Sequence, residues 1–152
     1  MNVRTQELAL TLTRRFAAPR AAVFRAWSDP QEMKKWSAPR GFTIPESDGA
    51  FRVGGSWRAT MRSAEGESHS LIGTYKEIVP PERIVFTHAW LGEDGTPGIE
   101  TLVTVTFEEV EGGTRLTLVQ TGFDSVASRD GHEGGWGESL DRLGELLAAE
   151  AG

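Results

Sequence analysis

The sequence contains no cysteine, which excludes disulfide bonds, thiolate nucleophiles and cysteine-ligated metals. Basic residues are also few, because 16 Lys and Arg stand against 22 Asp and Glu and give a net charge of -6. Such a chain is a poor candidate for binding nucleic acid or an anionic membrane surface. No stretch approaches the roughly 20 apolar residues of a membrane span, and the first residues lack the apolar core of a signal peptide. We therefore expect a cytoplasmic protein without a membrane span.

What the chain does contain is enough apolar material for one core. It has 152 residues, of which 38% are hydrophobic, and five Trp and seven Phe are among them. A chain of this length buries most of its unfolded surface without disulfides or metals. There is no internal repeat and no interior linker. We therefore expect a single domain over residues 1–152.

The first part of the chain predicts one strand followed by two short helices. Apolar and polar residues alternate from 8 to 13, the period of a half-buried strand. Pro19 is suited to begin a helix whose apolar face includes Trp27. Asp29 can cap a second helix, with Pro30 at its first position.

The rest of the chain predicts a strand meander and then one long helix. Between Phe42 and Thr121, strand patterns are separated by turn residues with no helix between them, which is typical of an antiparallel sheet. Afterwards Trp136, Leu140 and Leu147 recur at helical spacing, although nearby glycines weaken the start of this helix. The predicted fold class is α+β: a curved antiparallel sheet of six to seven strands around a long C-terminal helix, the helix-grip arrangement.

Several short motifs occur in this same order and carry a family resemblance. They are Arg15-Phe16-x-Ala18-Pro19, Val23-Phe24-x-Ala26-Trp27, Gly54-Gly55-Ser56-Trp57, Gly73-x-Tyr75-x-Glu77-Ile78, Pro80-Pro81-Glu82-Arg83-Ile84-Val85-Phe86-Thr87 and Gly135-Trp136. In order and spacing they resemble the bacterial START-like (SRPBCC) domains related to the activator of heat-shock-protein-ninety ATPase. One departure is visible: such domains commonly have Asp two residues before the Arg that corresponds to Arg52. Here Ala50 occupies that position, so any polar role of that Asp is missing or falls to Asp48.

The resemblance implies an apolar cavity between the sheet and the long helix, whereas the periodicity alone fits a solid core equally well. The inward-facing positions predicted to form the cavity wall are Trp57, Met61, Phe86, His88, Trp90, Val105, Leu118, Gln120, Trp136 and Leu140. His88 and Gln120 are the polar groups expected to orient a ligand. The alternative for His88 is a histidine that only fills the core.

Residues with catalytic or metal-binding chemistry form no recognisable motif. His132 has no second His at zincin spacing, so we assign no metal, no cofactor and no catalytic residue. Glu77 and Glu100 could act as acid or base only if they are buried, and solvent exposure is the alternative for both.

Three functions therefore stay open. The first is non-catalytic binding of a small apolar or amphipathic molecule. The second, which the resemblance implies, is a module that contacts a chaperone. The third is a cyclase- or hydrolase-like enzyme that pairs His88 with a buried carboxylate.

Overall fold

A seven-stranded, fully antiparallel sheet is the main element of the computed structural model, which describes residues 8–151. Three helices accompany the sheet within this range. In chain order, the elements are β1 (Ala9–Phe16), α1 (Arg20–Ser28), α2 (Pro30–Met33), β2 (Thr43–Gly49), β3 (Ser56–Arg62), β4 (Ser68–Val79), β5 (Arg83–Trp90), β6 (Thr101–Val110), β7 (Gly113–Thr121) and α3 (Val126–Ala151). The predicted α+β helix-grip fold, with two short helices after the first strand, is confirmed.

The strand order across the sheet is β1-β7-β6-β5-β4-β3-β2. Strands β2 to β7 therefore lie side by side in chain order. Strand β1 pairs with β7 and forms the edge of the sheet opposite β2. A register irregularity between Tyr75 and Glu77 interrupts the pairing of β4 with β5, and such irregularities bend and twist a strand. Close backbone approach also requires Gly73, because a Cβ atom there would lie 1.9 Å from the Thr87 carbonyl oxygen.

The two short helices begin as the sequence predicts. The side chain of Asp29 accepts a hydrogen bond from the backbone N–H of Gln31 at 2.9 Å, and Pro30 holds the first helical position of α2. Helix α1 buries Val23 and Trp27 completely or nearly so. Both side chains belong to the apolar core that also contains the buried residues of β6 and β7.

The long helix α3 begins at Val126, earlier than the apolar stripe at Trp136 indicates. Ser125 acts as its N-cap, since its Oγ accepts a hydrogen bond from the backbone N–H of Ser128 at 3.0 Å. The C-terminal half of α3 buries Leu140, Leu143 and Leu147 against the sheet. The N-terminal half contains most of the helix glycines and covers a different part of the sheet.

Candidate functional site

A cavity of about 330 Å³ lies between the N-terminal half of α3, the α2 region and strands β2 to β5. This volume falls within the usual range of small-molecule sites. Apolar side chains from α1, α2 and the sheet make up most of its wall. Besides residues expected from the sequence, the apolar wall contains Trp27, Met33, Ile44, Leu71, Tyr75 and Ile84.

The structure places six of the ten predicted wall residues on this cavity. They are Trp57, Met61, Phe86, His88, Trp90 and Trp136. The other four, Val105, Leu118, Gln120 and Leu140, have no exposed surface and belong to the packed core. Strand alternation identified their inward direction but not the part of the sheet that α3 contacts directly. The C-terminal half of α3 lies against β1 and shares one apolar core with the buried residues of β6 and β7, whereas the cavity is lined by β2 to β5.

Aromatic rings dominate the cavity wall. Trp136 of α3 stacks on Trp27 of α1, with ring centroids 5.7 Å apart and planes inclined by 24°. Across the sheet, Trp57 and Phe86 meet edge to face at 5.8 Å. Such pairs contribute roughly 0.5–1.5 kcal/mol beyond the burial of their surface. The wall is therefore braced by ring contacts that join the helices and the sheet.

Gln120 does not point a free polar group at the cavity, because protein groups use both ends of its amide. Its Oε1 accepts a hydrogen bond from Nε1 of Trp136 at 2.8 Å, and its Nε2 donates to Oγ1 of Thr101 at 2.8 Å. Thr101 in turn donates to the His88 carbonyl oxygen at 3.0 Å. This chain fixes the position of the Trp136 ring. The amide has one role here: it holds a wall residue rather than a ligand.

His132 of α3 is likewise occupied on both ring nitrogens. Its Nε2 lies 3.0 Å from Nε1 of Trp90, and an indole nitrogen can only donate. Nε2 therefore accepts, the proton resides on Nδ1, and Nδ1 donates to the Ser128 carbonyl oxygen at 2.7 Å. These two hydrogen bonds fix the neutral Nδ1–H tautomer and attach the start of α3 to the end of β5.

His88 is the most unusual side chain on the wall. It is 6% exposed and lies among the rings of Trp57, Trp90, His132 and Trp136. Burial, and secondarily the neighbouring His132, lowers its pKa to about 3, so the ring is neutral at ordinary pH. Apart from its own backbone, no group within residues 8–151 makes a hydrogen bond with its ring nitrogens.

Charged groups are scarce around the cavity. Its polar lining consists of serines, the phenol of Tyr75, the two histidines and one carboxylate, Asp48, which is exposed at the end of β2. Within the described residues no Lys or Arg lines it, and no three His, Asp or Glu side chains gather as metal ligands would. Glu77 instead pairs with Arg83 at 2.5 Å on the surface, and Glu100 is exposed. Neither carboxylate reaches His88, as an acid–base pair would require.

Arg142 of α3 holds a segment that contributes to the cavity wall, a role that no sequence pattern indicated. Its Nη1 donates to the carbonyl oxygens of Ala38 at 2.7 Å, Pro39 at 3.3 Å and Phe42 at 3.4 Å. Its Nη2 donates to the Lys35 carbonyl at 3.3 Å. The connection between α2 and β2, which carries the wall residue Pro39, is thereby attached to α3.

The family of the chain follows from comparison with known proteins. The model of the family described as "Activator of Hsp90 ATPase homolog 1-like protein" matches residues 17–148. The chain belongs to this family. No curated protein matches it at significance. Among the described residues, no helix is both long and apolar enough to cross a membrane.

Solved structures of bacterial proteins resemble this member of the Hsp90 ATPase activator homolog family over nearly its whole length. The AHSA1 protein from Silicibacter pomeroyi is 30% identical with a TM-score of 0.86, over 93% of this chain and 99% of that one. A protein from Chromobacterium violaceum is 31% identical with a TM-score of 0.84, over 93% and 97% of the two chains. A protein from Nitrosomonas europaea is 27% identical with a TM-score of 0.81, over 95% and 97%.

Proposed function

We propose that the protein binds one small apolar or amphipathic molecule in the cavity and performs no chemistry on it. The observation that carries the proposal is the aromatic-walled space of about 330 Å³ beneath α3. An apolar ring placed there leaves water and contacts Trp57, Phe86 and Trp136 without needing a matched charge. A cavity of this kind favours binding by shape and burial.

The contents of the wall favour binding over catalysis. A neutral imidazole whose pKa is near 3 is a weak proton acceptor at pH 7, far from the value that suits a general base. The carboxylate on the lining, Asp48, is exposed at the rim. Within residues 8–151, the cyclase- or hydrolase-like hypothesis therefore lacks the paired acid and base that it requires.

Binding of a neutral fluorescent probe tests the proposal. We expect N-phenyl-1-naphthylamine to bind at one saturable site and with micromolar affinity. Trp90→Ala and Trp136→Ala should weaken binding, because each removes a wall ring. Leu102→Ala, at an exposed position on β6, is the matched control and should leave binding unchanged. If no apolar probe binds, or if the control variant weakens binding as much as the wall variants, the proposal fails.

The second candidate function is an interaction module for the chaperone Hsp90, and the family description is what favours it. Its test is the ATPase rate of purified Hsp90 with and without this protein. A dose-dependent stimulation that survives Trp90→Ala would support an interaction surface separate from the cavity. An unchanged rate over a wide range of concentration would leave ligand binding as the function to pursue.

A further inference from the structure

The polar lining of the cavity limits which ligands it can hold, and this limit deepens the ligand-binding function proposed above, on which it rests. We propose that the cavity takes an uncharged ring compound bearing a hydroxyl group that pairs with His88, and that it excludes the corresponding carboxylate. Charge, hydrogen-bonding capacity and volume each contribute to this inference.

The first step concerns charge. A carboxylate that enters the cavity loses its hydration, and a buried anion is tolerated only when a cation or several donors replace the lost water. Within residues 8–151 no Lys or Arg lines the wall, and the charged group present, Asp48, has the same sign as the anion. Arg142 is close in sequence to the lining Ser139, but it is committed to backbone carbonyls. A carboxylate therefore finds repulsion at the rim and no counter-charge inside.

The second step concerns the donors and acceptors that stay available. The protein itself satisfies the N–H groups of Trp90 and Trp136 and both ring nitrogens of His132. His88 is different, because its ring is buried on the cavity wall and has no partner from another described residue. The neighbouring Trp57, with its ring centroid 6.0 Å away, also has a buried N–H without an acceptor. Among the described wall residues the N–H groups of Trp27 and Trp57 lack acceptors, but both nitrogens are fully buried, so the His88 ring is the unpaired ring group that a ligand in the cavity can meet.

The third step concerns the chemistry of a neutral imidazole. It presents one N–H donor and one nitrogen acceptor. A hydroxyl group both donates and accepts, so it can pair with whichever ring nitrogen the His88 backbone leaves free. A carboxylate can only accept and an ammonium group can only donate, and each would bring an uncompensated charge beside the ring. An uncharged hydroxyl therefore fits this ring, whereas a charged group does not.

The fourth step concerns size. At the packing density of protein interiors, a cavity of about 330 Å³ holds about 240 Å³ of ligand atoms. That space accommodates a fused bicyclic or small tricyclic ring system, and the flat faces of Trp27, Trp57 and Trp136 suit such rings. Together these steps point to a compact phenol or cyclic alcohol.

The experiment compares four probes that share one ring system, measured by calorimetry at pH 7.5: naphthalene, 2-naphthol, 2-acetonaphthone and 2-naphthoic acid, which is ionised at this pH. The last two match in shape and differ in charge. We expect 2-naphthol to bind about three- to tenfold more tightly than naphthalene, the contribution of one buried hydrogen bond. We expect 2-naphthoate to bind at least about tenfold more weakly than 2-acetonaphthone, because its charge is desolvated without a partner.

Three variants, one of them a control, assign these preferences to residues of the wall. His88→Phe should bring the affinities for 2-naphthol and naphthalene to the same value, because the hydrogen bond to the hydroxyl is lost. Met61→Lys adds a cation to the half-buried wall position on β3 and should strengthen 2-naphthoate binding, whereas the uncharged Met61→Gln should not. Circular dichroism and thermal unfolding check that each variant is folded, and the wild-type probe series needs no variant at all.

The outcomes separate this inference from the function beneath it. Equal affinities for 2-naphthoate and 2-acetonaphthone in the wild-type protein would overturn the exclusion of anions. A 2-naphthol advantage that persists in folded His88→Phe would overturn the assignment of the hydroxyl partner. In both cases N-phenyl-1-naphthylamine would still bind, and the proposed function would stand. If none of these compounds binds, both the function and this inference fall.

Discussion

At the scale of single residues, the histidines show how environment separates side chains of one type. His88 is buried among aromatic rings, and no other residue within 8–151 makes a hydrogen bond with its ring, whereas His132 uses one nitrogen within α3 and the other to join α3 to β5. His69 is exposed on β4 near Glu67. The same imidazole group thus serves as a neutral wall group, a structural link and a surface residue.

Acid should destabilise the protein through His88. Its folded-state pKa of about 3 lies below the ordinary value of 6.5, so the unfolded chain binds a proton in this interval and the folded protein does not. The contribution of this residue to stability is therefore complete above about pH 6.5 and decreases as the pH falls toward 3. At pH 5 we expect a loss of about 2 kcal/mol from this group.

Denaturant unfolding at a series of pH values measures this effect, and His88→Phe is the comparison. The variant should lose less stability between pH 7 and pH 5 than the wild-type protein does. The difference between the two slopes isolates His88 from the carboxylates, which the two proteins share. Identical slopes would show that the ring is not held neutral by burial.

At the scale of secondary structure, α3 is one continuous helix whose two halves have different roles, one in the core and one on the cavity. Its C-terminal half is anchored by Leu140, Leu143 and Leu147. Its N-terminal half faces the cavity and contains Gly131, Gly134, Gly135 and Gly137. A glycine in a helix interior costs roughly 1 kcal/mol relative to alanine, so the half that covers the cavity is intrinsically the weaker one.

Replacing glycines of α3 that have no packing role should stabilise the protein. A Cβ atom at Gly131 or Gly134 would meet nothing within 4 Å, so Gly131→Ala and Gly134→Ala should each add about 1 kcal/mol to the free energy of unfolding. Gly73→Ala is the opposite control, because its Cβ would overlap the Thr87 carbonyl oxygen and the Trp57 ring. Urea unfolding midpoints give all three values. Destabilisation by the two helix variants would contradict this account of α3.

The elements also show how far sequence reasoning reaches. Hydrophobic period and turn residues predicted the strand meander, the Asp29 cap and the stripe of α3, because these depend on local spacing. The start of α3 at Val126 was missed, since glycines weakened the helical pattern and the Ser125 cap was the sole local sign. The predicted wall mixed cavity residues with core residues such as Leu118 and Leu140. Alternation tells which face is inward, whereas the part of that face left uncovered depends on how α3 lies across the sheet.

At the scale of the whole molecule, the protein has one packed side and one hollow side. On the packed side, Val105 of β6, Leu118 of β7 and Leu140 of α3 are completely buried in one apolar core. Over β3 to β5, the weaker half of α3 covers the cavity together with α2 and the connection that follows it. The contacts that stabilise the fold are thus concentrated on one side of the molecule, and the space available to a ligand lies on the other.

On the hollow side, Arg142 attaches the connection between α2 and β2 to α3, and this contact gives the final prediction. The guanidinium donates to four backbone carbonyls between Lys35 and Phe42, so Arg142→Met leaves these acceptors without their charged donor. Hydrogen bonds to charged groups contribute roughly 1.5–3 kcal/mol, and we expect a loss of this size in denaturant unfolding. Arg142→Lys should recover little, because one ammonium group cannot span carbonyls that a planar guanidinium reaches with two nitrogens.

The same variant should also shorten the residence time of a bound probe, because the connection carrying Pro39 forms part of the wall. Stopped-flow dissociation of N-phenyl-1-naphthylamine measures this rate. Arg40→Met is the matched control, because Arg40 lies on the same connection and makes only an exposed ion pair with Glu145 of α3 through its side chain. This variant should change neither the stability nor the dissociation rate measurably. If Arg142→Met unfolds at the wild-type denaturant concentration and releases the probe at the wild-type rate, the attachment to α3 is not what closes the cavity.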